Sequence, residues 1–132
     1  MTAPKIAGIC ENLDATAAQQ ATEFMASVIH AFEVADPSAL QSLDHKGGDP
    51  RGRKNSYDFN QSLMKRGDKV RAWSARPYTE PKWDVMRYLR HHPTPSVWID
   101  VTLNNGEGDY PICFICSPDS EDRLRTCYYV DR

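Results

Sequence analysis

A twenty-residue stretch without glycine or proline, Ala15 to Val34, constrains this chain more than any other feature. Its apolar residues recur at three- and four-residue spacing, which predicts a long helix with one apolar face. They are Ala18, Ala21, Phe24, Met25, Val28, Ile29 and Phe32. Asp14 is the predicted N-cap, and His30 lies half a turn from the apolar stripe, so we expect it to face solvent. Such a helix must bury its apolar face, so the rest of the chain has to supply a surface for it.

The C-terminal third of the sequence supplies that surface. Residues 96–103, 110–117 and 124–130 are rich in β-branched and aromatic side chains, which predicts three strands. The segments between them are too short for crossover connections, so neighbouring strands should be antiparallel. We therefore predict one α+β domain over residues 1–132, with N-terminal helices packed on a curved, mostly antiparallel, cone-like sheet.

The middle of the chain alternates between turn signals and short periodic segments. Asp36 and Pro37 predict a second helix that ends at Leu43, and the glycine- and proline-rich stretch 45–52 predicts a loop. A third helix should begin at Asn55 or Ser56, run to Arg66 and end with a left-handed Gly67. Residues 69–75 suit a strand. Residues 82–91 fit a helix and a strand equally well from their periodicity.

Composition excludes several classes of protein. Hydrophobic residues make up 40% and charged residues 26% of the 132 residues, which is typical of a globular domain. The sequence contains neither a transmembrane-length apolar run nor a secretory signal, so we expect a cytoplasmic protein that is not embedded in a membrane. In a domain of this size, the four cysteines are expected to be reduced and mostly buried.

Charge is unevenly distributed along the chain. Six acids against Lys5 give residues 1–44 a net −5, while twelve Lys or Arg against five acids give residues 45–95 a net +7. Residues 96–132 carry three Arg against seven acids, a net −4. The basic middle, with aromatic residues nearby, is compatible with a nucleic-acid surface. Its interspersed acids and the overall −2 charge instead favour segments that neutralise one another across the fold, so we do not expect nucleic acid as a partner.

A Cys113-x-x-Cys116 pair is the one spacing that is typical of a metal ligand set. In a turn it could form half of a zinc site, completed by Cys127 or by His91 and His92. Within a strand, residues three apart point to opposite faces, and no second CxxC exists. We expect neither a bound metal nor a cofactor.

Strand alternation gives the stronger functional clue. Both faces of the predicted sheet are substantially apolar or aromatic, although a sheet covered on one side should be polar on the other. We therefore predict that the second face, with Trp98, Ile115 and Tyr129, is an interface, most simply with a second copy of the chain. The alternative is that sheet curvature or the terminal segment with Ile6, Ile9 and Cys10 covers this face.

Three stretches, 32–40, 52–59 and 97–130, carry a family resemblance. They are similar to the first-helix exit, the start of the third helix and the terminal strands of the nuclear transport factor 2-like (cystatin-like) superfamily, which includes ketosteroid isomerases and polyketide cyclases. The resemblance implies a cone-shaped fold and a strand over residues 82–91. Isomerase-type members use a carboxylate base and an acid–hydroxyl pair inside the cone, for which Tyr57, Asp58 and Asp100 are the candidates here.

The same fold hosts enzymes, ligand binders and interaction modules, so the resemblance leaves the function open. The leading hypothesis is a non-catalytic, dimeric domain that binds a small apolar ligand or a protein partner, as bacterial immunity proteins of this fold do. The alternative is a pocket enzyme that catalyses proton transfer, an isomerase or dehydratase. An enzyme requires a buried carboxylate or histidine with a perturbed pKa near a hydroxyl group.

Overall fold

The computed structural model describes residues 6–45, 50–79 and 95–131. The elements in chain order are β1 (Ala7–Cys10), α1 (Ala15–Glu33), α2 (Pro37–Gln41), α3 (Pro50–Lys65), β2 (Lys69–Pro77), β3 (Val97–Asn104), β4 (Asp109–Pro118) and β5 (Leu124–Asp131). The strands form an open sheet in the order β1-β2-β3-β4-β5, with β1 parallel to β2 and the other neighbours antiparallel. The predicted α+β class, with N-terminal helices on a curved sheet, is confirmed. The segment 82–91 lies outside the described residues.

Helix α1 forms as its sequence predicts and contributes many of the residues of the hydrophobic core. The Asp14 carboxylate accepts a hydrogen bond from the Ala17 amide at 2.8 Å, so Asp14 is the N-cap. The buried face packs on the sheet, where Phe24 meets Phe114 edge-on with ring centroids 5.4 Å apart. His30 is exposed, as expected. Lys69 Nζ donates to the last carbonyls of the helix, where its positive charge also offsets the helix dipole.

The second and third helices differ from their predicted bounds. Helix α2 ends at Gln41, two residues earlier than predicted. Helix α3 begins at Pro50, so the prediction of a loop through residue 52 and a helix start at Asn55 or Ser56 was wrong. A proline is tolerated in the first helical turn, since its missing amide has no partner there, and the later residues of α3 carry the helix through Gly52. The helix ends at Lys65, one residue before the predicted end at Arg66, and Gly67 follows with the predicted left-handed φ of 87°.

Burial on β3 follows the predicted alternation. Val97, Ile99, Val101 and Leu103 are at most 2% exposed and belong to the core under the helices, whereas the residues between them are half-buried. Register shifts occur between Val70 and Ala72 and between Ile115 and Cys116. Such bulges bend strands and increase their twist, so they account for part of the curvature of the sheet.

Strand β1 was not predicted from the sequence. It adds to the free edge of β2, and Gly8 lies in register with Trp73. A Cβ atom at Gly8 would lie 2.4 Å from the Trp73 indole, so only glycine allows this close approach. The segment proposed as a cover for the second face therefore extends the sheet at its edge instead, and Ile9 remains 55% exposed.

Candidate functional site

A small cleft lies between α2, α3 and the strands β4 and β5. It holds about 10 Å³ of free space, which is room for a single water molecule, and it is partly open to solvent. Its lining combines apolar and polar side chains: Leu40, Gln41, Asp44, Ser56, Tyr57, Asn60, Phe114 and Thr126. We call this the Asp44 cleft, because Asp44 is its one ionisable carboxylate.

Backbone pairing with β5 places Asp44 in the cleft. The amide of His45 donates to the Thr126 carbonyl at 3.0 Å, and the Thr126 amide donates to the Leu43 carbonyl at 2.8 Å. Burial raises the pKa of Asp44 to about 6, and the Arg53 guanidinium opposes that rise without cancelling it. The cleft therefore holds a carboxyl group that titrates close to neutral pH.

Hydrogen bonds to the backbone hold the residues around the cleft. Arg53 donates from one terminal nitrogen to the His45 carbonyl at 3.2 Å, and Gln41 Nε2 donates to the Arg53 carbonyl at 3.0 Å. The buried His45 ring lies with its Nε2 2.9 Å from the Ser117 carbonyl oxygen. Asn60 is only 5% exposed, and its Oδ1 has no hydrogen-bond partner. The cleft is thus rigidly framed and contains an unsatisfied acceptor.

The three residues predicted as catalytic candidates do not come together. Tyr57 lines the Asp44 cleft, whereas Asp58, its neighbour on α3, is exposed. Asp100 lies on β3, on the face of the sheet away from the helices. The sequence interpretation missed Asp44 and Asn60. A weak signal existed for Asn60, because it is three residues after Tyr57 and so shares its side of the helix.

The second face of the sheet carries an ordered group of side chains around Trp98. The rings of Tyr78 and Trp98 stack with centroids 5.9 Å apart and planes 11° from parallel. The Arg76 guanidinium lies 4.9 Å from the centre of the Trp98 ring, and Trp98 Nε1 donates to Asp100 at 2.9 Å. Arg76 and Asp100 form a loose ion pair at 3.9 Å. We call these four residues the Trp98 cluster.

The other residues of the predicted interface lie beside this cluster. Ile115 is fully buried within the chain itself, and Tyr78 and Trp98 pack against Ile115 and Cys127. Tyr129 pairs in register with Phe114, and its side chain lies outside the described part of the structure. Among the predicted interface residues with described side chains, Trp98 is therefore the one that retains accessible surface for a partner.

The cysteines take the arrangement that strand geometry predicts. Cys113 lies opposite Asp100 and Cys116 opposite Val97, so the two thiols are on opposite faces of β4. Both are buried thiols, as is Cys127. Burial raises the pKa of Cys116 well above its ordinary value and that of Cys127 to about 12, so both remain protonated thiols near neutral pH. Among the described residues, no group of three or more metal-ligating side chains is found.

Among the described residues, Arg71 and Arg76 of the basic middle segment pair with acids of the C-terminal segment, as the neutralisation hypothesis predicts, whereas Arg66 pairs within the middle segment. Arg71 forms a two-pronged ion pair with Asp109, at 2.8 and 3.1 Å. Arg66 binds the buried Asp68 at 2.7 Å and lies over the Tyr110 ring. These contacts reduce the charge that could be presented to a nucleic acid.

No protein-family model matches the sequence, and neither a curated protein nor a solved structure matches it. Within the described ranges, no helix has the length and apolar character needed to cross a membrane.

Proposed function

We propose that this chain is a non-catalytic protein-interaction domain of the nuclear transport factor 2-like type, which acts through the face of its sheet away from the helices. The observation that carries the proposal is the close packing between α1 and the sheet within the described residues. Side chains of α1 and of the sheet pack against each other under the helices, and the Asp44 cleft offers about 10 Å³. Pockets for small molecules are typically about 300–1,000 Å³, so a protein partner is favoured over a small apolar ligand.

The Trp98 cluster supports this choice of surface. Tryptophan, tyrosine and arginine are the residue types most enriched among those that dominate binding energy at protein interfaces. Here Trp98 is stacked and hydrogen-bonded in the absence of a partner, so little side-chain entropy remains to be lost on association. The half-buried cluster thus combines a suitable composition with a fixed conformation.

A second copy of the chain is the simplest partner for this surface. Arg76 and Asp100 carry opposite charges side by side, so a twofold axis through the cluster would bring each Arg76 to the Asp100 of the other copy. Ile9 lies in register with Ser74, and Ser74 with Asp100, so the exposed Ile9 extends the same face. The proposed dimer therefore has an aromatic centre, a charged pair and an apolar margin.

Light scattering at micromolar concentration tests this proposal. We expect the mass of a dimer for the unchanged chain and the mass of a monomer for a Trp98→Ala/Arg76→Ala double variant. Glu23→Ala, an exposed change on α1, is the matched control and should leave the dimer intact. A monomeric mass for the unchanged chain would rule out the homodimer.

A second candidate function, a proton-transfer enzyme, is favoured by one specific observation. The pKa of about 6 for Asp44 suits a general acid or base, and Tyr57 lines the same cleft. A substrate would have to widen the cleft in order to reach the carboxyl group. Soaking crystals with cyclic ketone fragments tests this candidate, since a fragment bound between Asp44 and Tyr57 would support it and an unchanged cleft would count against it.

A further inference from the structure

One buried acceptor without a donor and one half-buried carboxylate line the Asp44 cleft. The Oδ1 of Asn60 is buried and has no partner. Within the part of the chain that the structure describes, no hydrogen bond or ion pair reaches the Asp44 carboxylate. Leaving a buried acceptor unsatisfied costs about 1–3 kcal/mol, and more for a charged group, so the free cleft favours a guest that donates.

The cleft has room for only one heavy atom of the bound molecule, together with the hydrogens on that atom. About 10 Å³ accepts a group of the size of water, and the partly open side leaves a path for an attached carbon chain. A guanidinium group is a planar fork with three nitrogens and exceeds this space. Ser56 and Thr126 line the same cleft with hydroxyl groups, which can accept as well as donate.

We propose that the Asp44 cleft binds a primary ammonium group, with the Asp44 carboxylate and Asn60 Oδ1 as its acceptors. An ammonium group has three donors and no acceptor, which complements the unpartnered Asn60 Oδ1 and the negative charge of Asp44. Water could satisfy both acceptors as well, but it leaves the negative charge uncompensated, whereas a cation lowers the cost of keeping that charge in a buried site.

Other charged and titratable groups face the cleft from every side. Arg53 approaches from α3 and lowers the pKa of Asp44. One of its terminal nitrogens donates to the His45 carbonyl, its buried Nε has no hydrogen-bond partner, and it forms no ion pair with Asp44 among the described residues. His45 itself points its Nε2 to the Ser117 carbonyl. From the sheet, the buried Cys116 is a protonated thiol. Burial outweighs the attraction of Arg53, so the pKa of Asp44 remains raised.

The ammonium group could belong to a free small amine or to a lysine side chain of a protein partner. The chemistry of recognition is the same for both, and the proposal does not rest on the dimer described above. Trp98 lies on the opposite face of the sheet, so a Trp98→Ala variant should lose the dimeric mass and keep the response to ammonium. The two proposals can therefore fail separately.

NMR titration of the Asp44 carboxyl carbon tests the proposal, with methylammonium and tetramethylammonium as probes at equal ionic strength. We expect methylammonium to lower the pKa of Asp44. With that pKa about 6, the ionised fraction falls from nearly one at pH 7.5 to about one tenth at pH 5, so binding should weaken roughly tenfold. Tetramethylammonium has no N–H donor and should have no effect. Equal responses to the two cations would overturn the proposal, since recognition would then not depend on N–H donors. A response to neither cation would also overturn it, since the cleft would then hold water only.

Variants provide the controls for the same titration, with methylammonium binding followed by the amide signals around the cleft. Asp44→Asn keeps the shape of the side chain and should abolish binding, and Asn60→Ala should weaken it about tenfold, the effect of one hydrogen bond to a charged group. Asp58→Asn removes an exposed carboxylate from the same helix and should change nothing. Thermal melting confirms that each variant is folded. Retained binding by a folded Asp44→Asn variant would overturn the assignment.

A lysine peptide distinguishes the two sources of the ammonium group. An acetylated Gly-Lys-Gly amide is compared with methylammonium and with the same peptide acetylated on the lysine nitrogen. Tighter binding of the lysine peptide than of methylammonium would assign the cleft to a protein partner, and equal or weaker binding would assign it to a free amine. Binding of the acetyl-lysine peptide as tight as that of the lysine peptide would contradict ammonium recognition.

Discussion

The two faces of the central strand β3 have the same backbone but opposite characters. On the helix side, four aliphatic residues are almost completely buried, and they lie in the core together with Phe24 and Phe114. On the other side, Trp98 and Asp100 are half-buried and bonded to one another. The first set of alternate residues therefore contributes to stability, and the second set is the one that we propose for recognition. Changes on the two faces should therefore affect different measurements.

The largest effect should come from the helix-side face. Ile99 is fully buried in the core, so Ile99→Ala removes buried methyl groups and leaves a cavity. We expect the free energy of unfolding to fall by about 2–5 kcal/mol. Urea denaturation measures this loss, and a fall smaller than that caused by Trp98→Ala would break the comparison between the faces.

The next largest effect on the free energy of unfolding should come from Asp44, an ionisable residue on the helix side of the sheet. Folding raises the pKa of Asp44 from 3.8 to about 6, so between these pH values the folded state binds more protons than the unfolded state. The free energy of unfolding should therefore fall as the pH rises through this window, by roughly 3 kcal/mol at most, and stay lower above it. Asp44→Asn should be more stable than the unchanged chain at pH 8 and similar to it below pH 4.

Urea denaturation across this pH range measures the difference, with Asp58→Asn as an exposed control. If the unfolding free energy of Asp44→Asn depends on pH in the same way as that of the unchanged chain, the prediction is wrong. Burial then does not destabilise the Asp44 carboxylate.

The smallest effect on stability should come from the second face. Trp98→Ala removes one ring stack and one cation–π contact from a half-buried position. We expect a loss of about 1–2 kcal/mol in the free energy of unfolding of the monomer. The free energy of unfolding should be measured at a protein concentration low enough for the chain to be monomeric. Loss of the proposed dimer then does not add to the result. A loss of unfolding free energy as large as that of Ile99→Ala would show that this face contributes as much to stability as the core face does.

The sequence predicts elements well where the signal is local. The apolar stripe of α1, its Asp14 cap and the alternation on β3 are set by neighbouring residues, and the structure reproduces all three. Strand β1 has four exposed residues and no alternation of its own, so only its pairing with β2 defines it. The early start of α3 at Pro50 similarly depends on later residues that favour the helix.

The Asp44 cleft could not be predicted for a comparable reason. Asp44 follows a five-residue helix and is exposed on any local argument, and it is half-buried because the chain pairs with Thr126 on the last strand. The cleft therefore depends on a contact between distant parts of the sequence. On the second face, Trp98 follows from alternation, but its stacking on Tyr78 depends on the register of β2 and β3.

The parallel pairing of β1 with β2 has a consequence for how the chain is made. All helices of the described part lie between these two strands in the sequence, so β1 leaves the ribosome well before its partner does. At ordinary rates of translation the interval is roughly 3–12 s. Throughout it, an uncharged strand that includes Ile9 has no edge to join, whereas β3, β4 and β5 can each add to the strand made just before. We therefore expect β1 to be a late addition to the sheet.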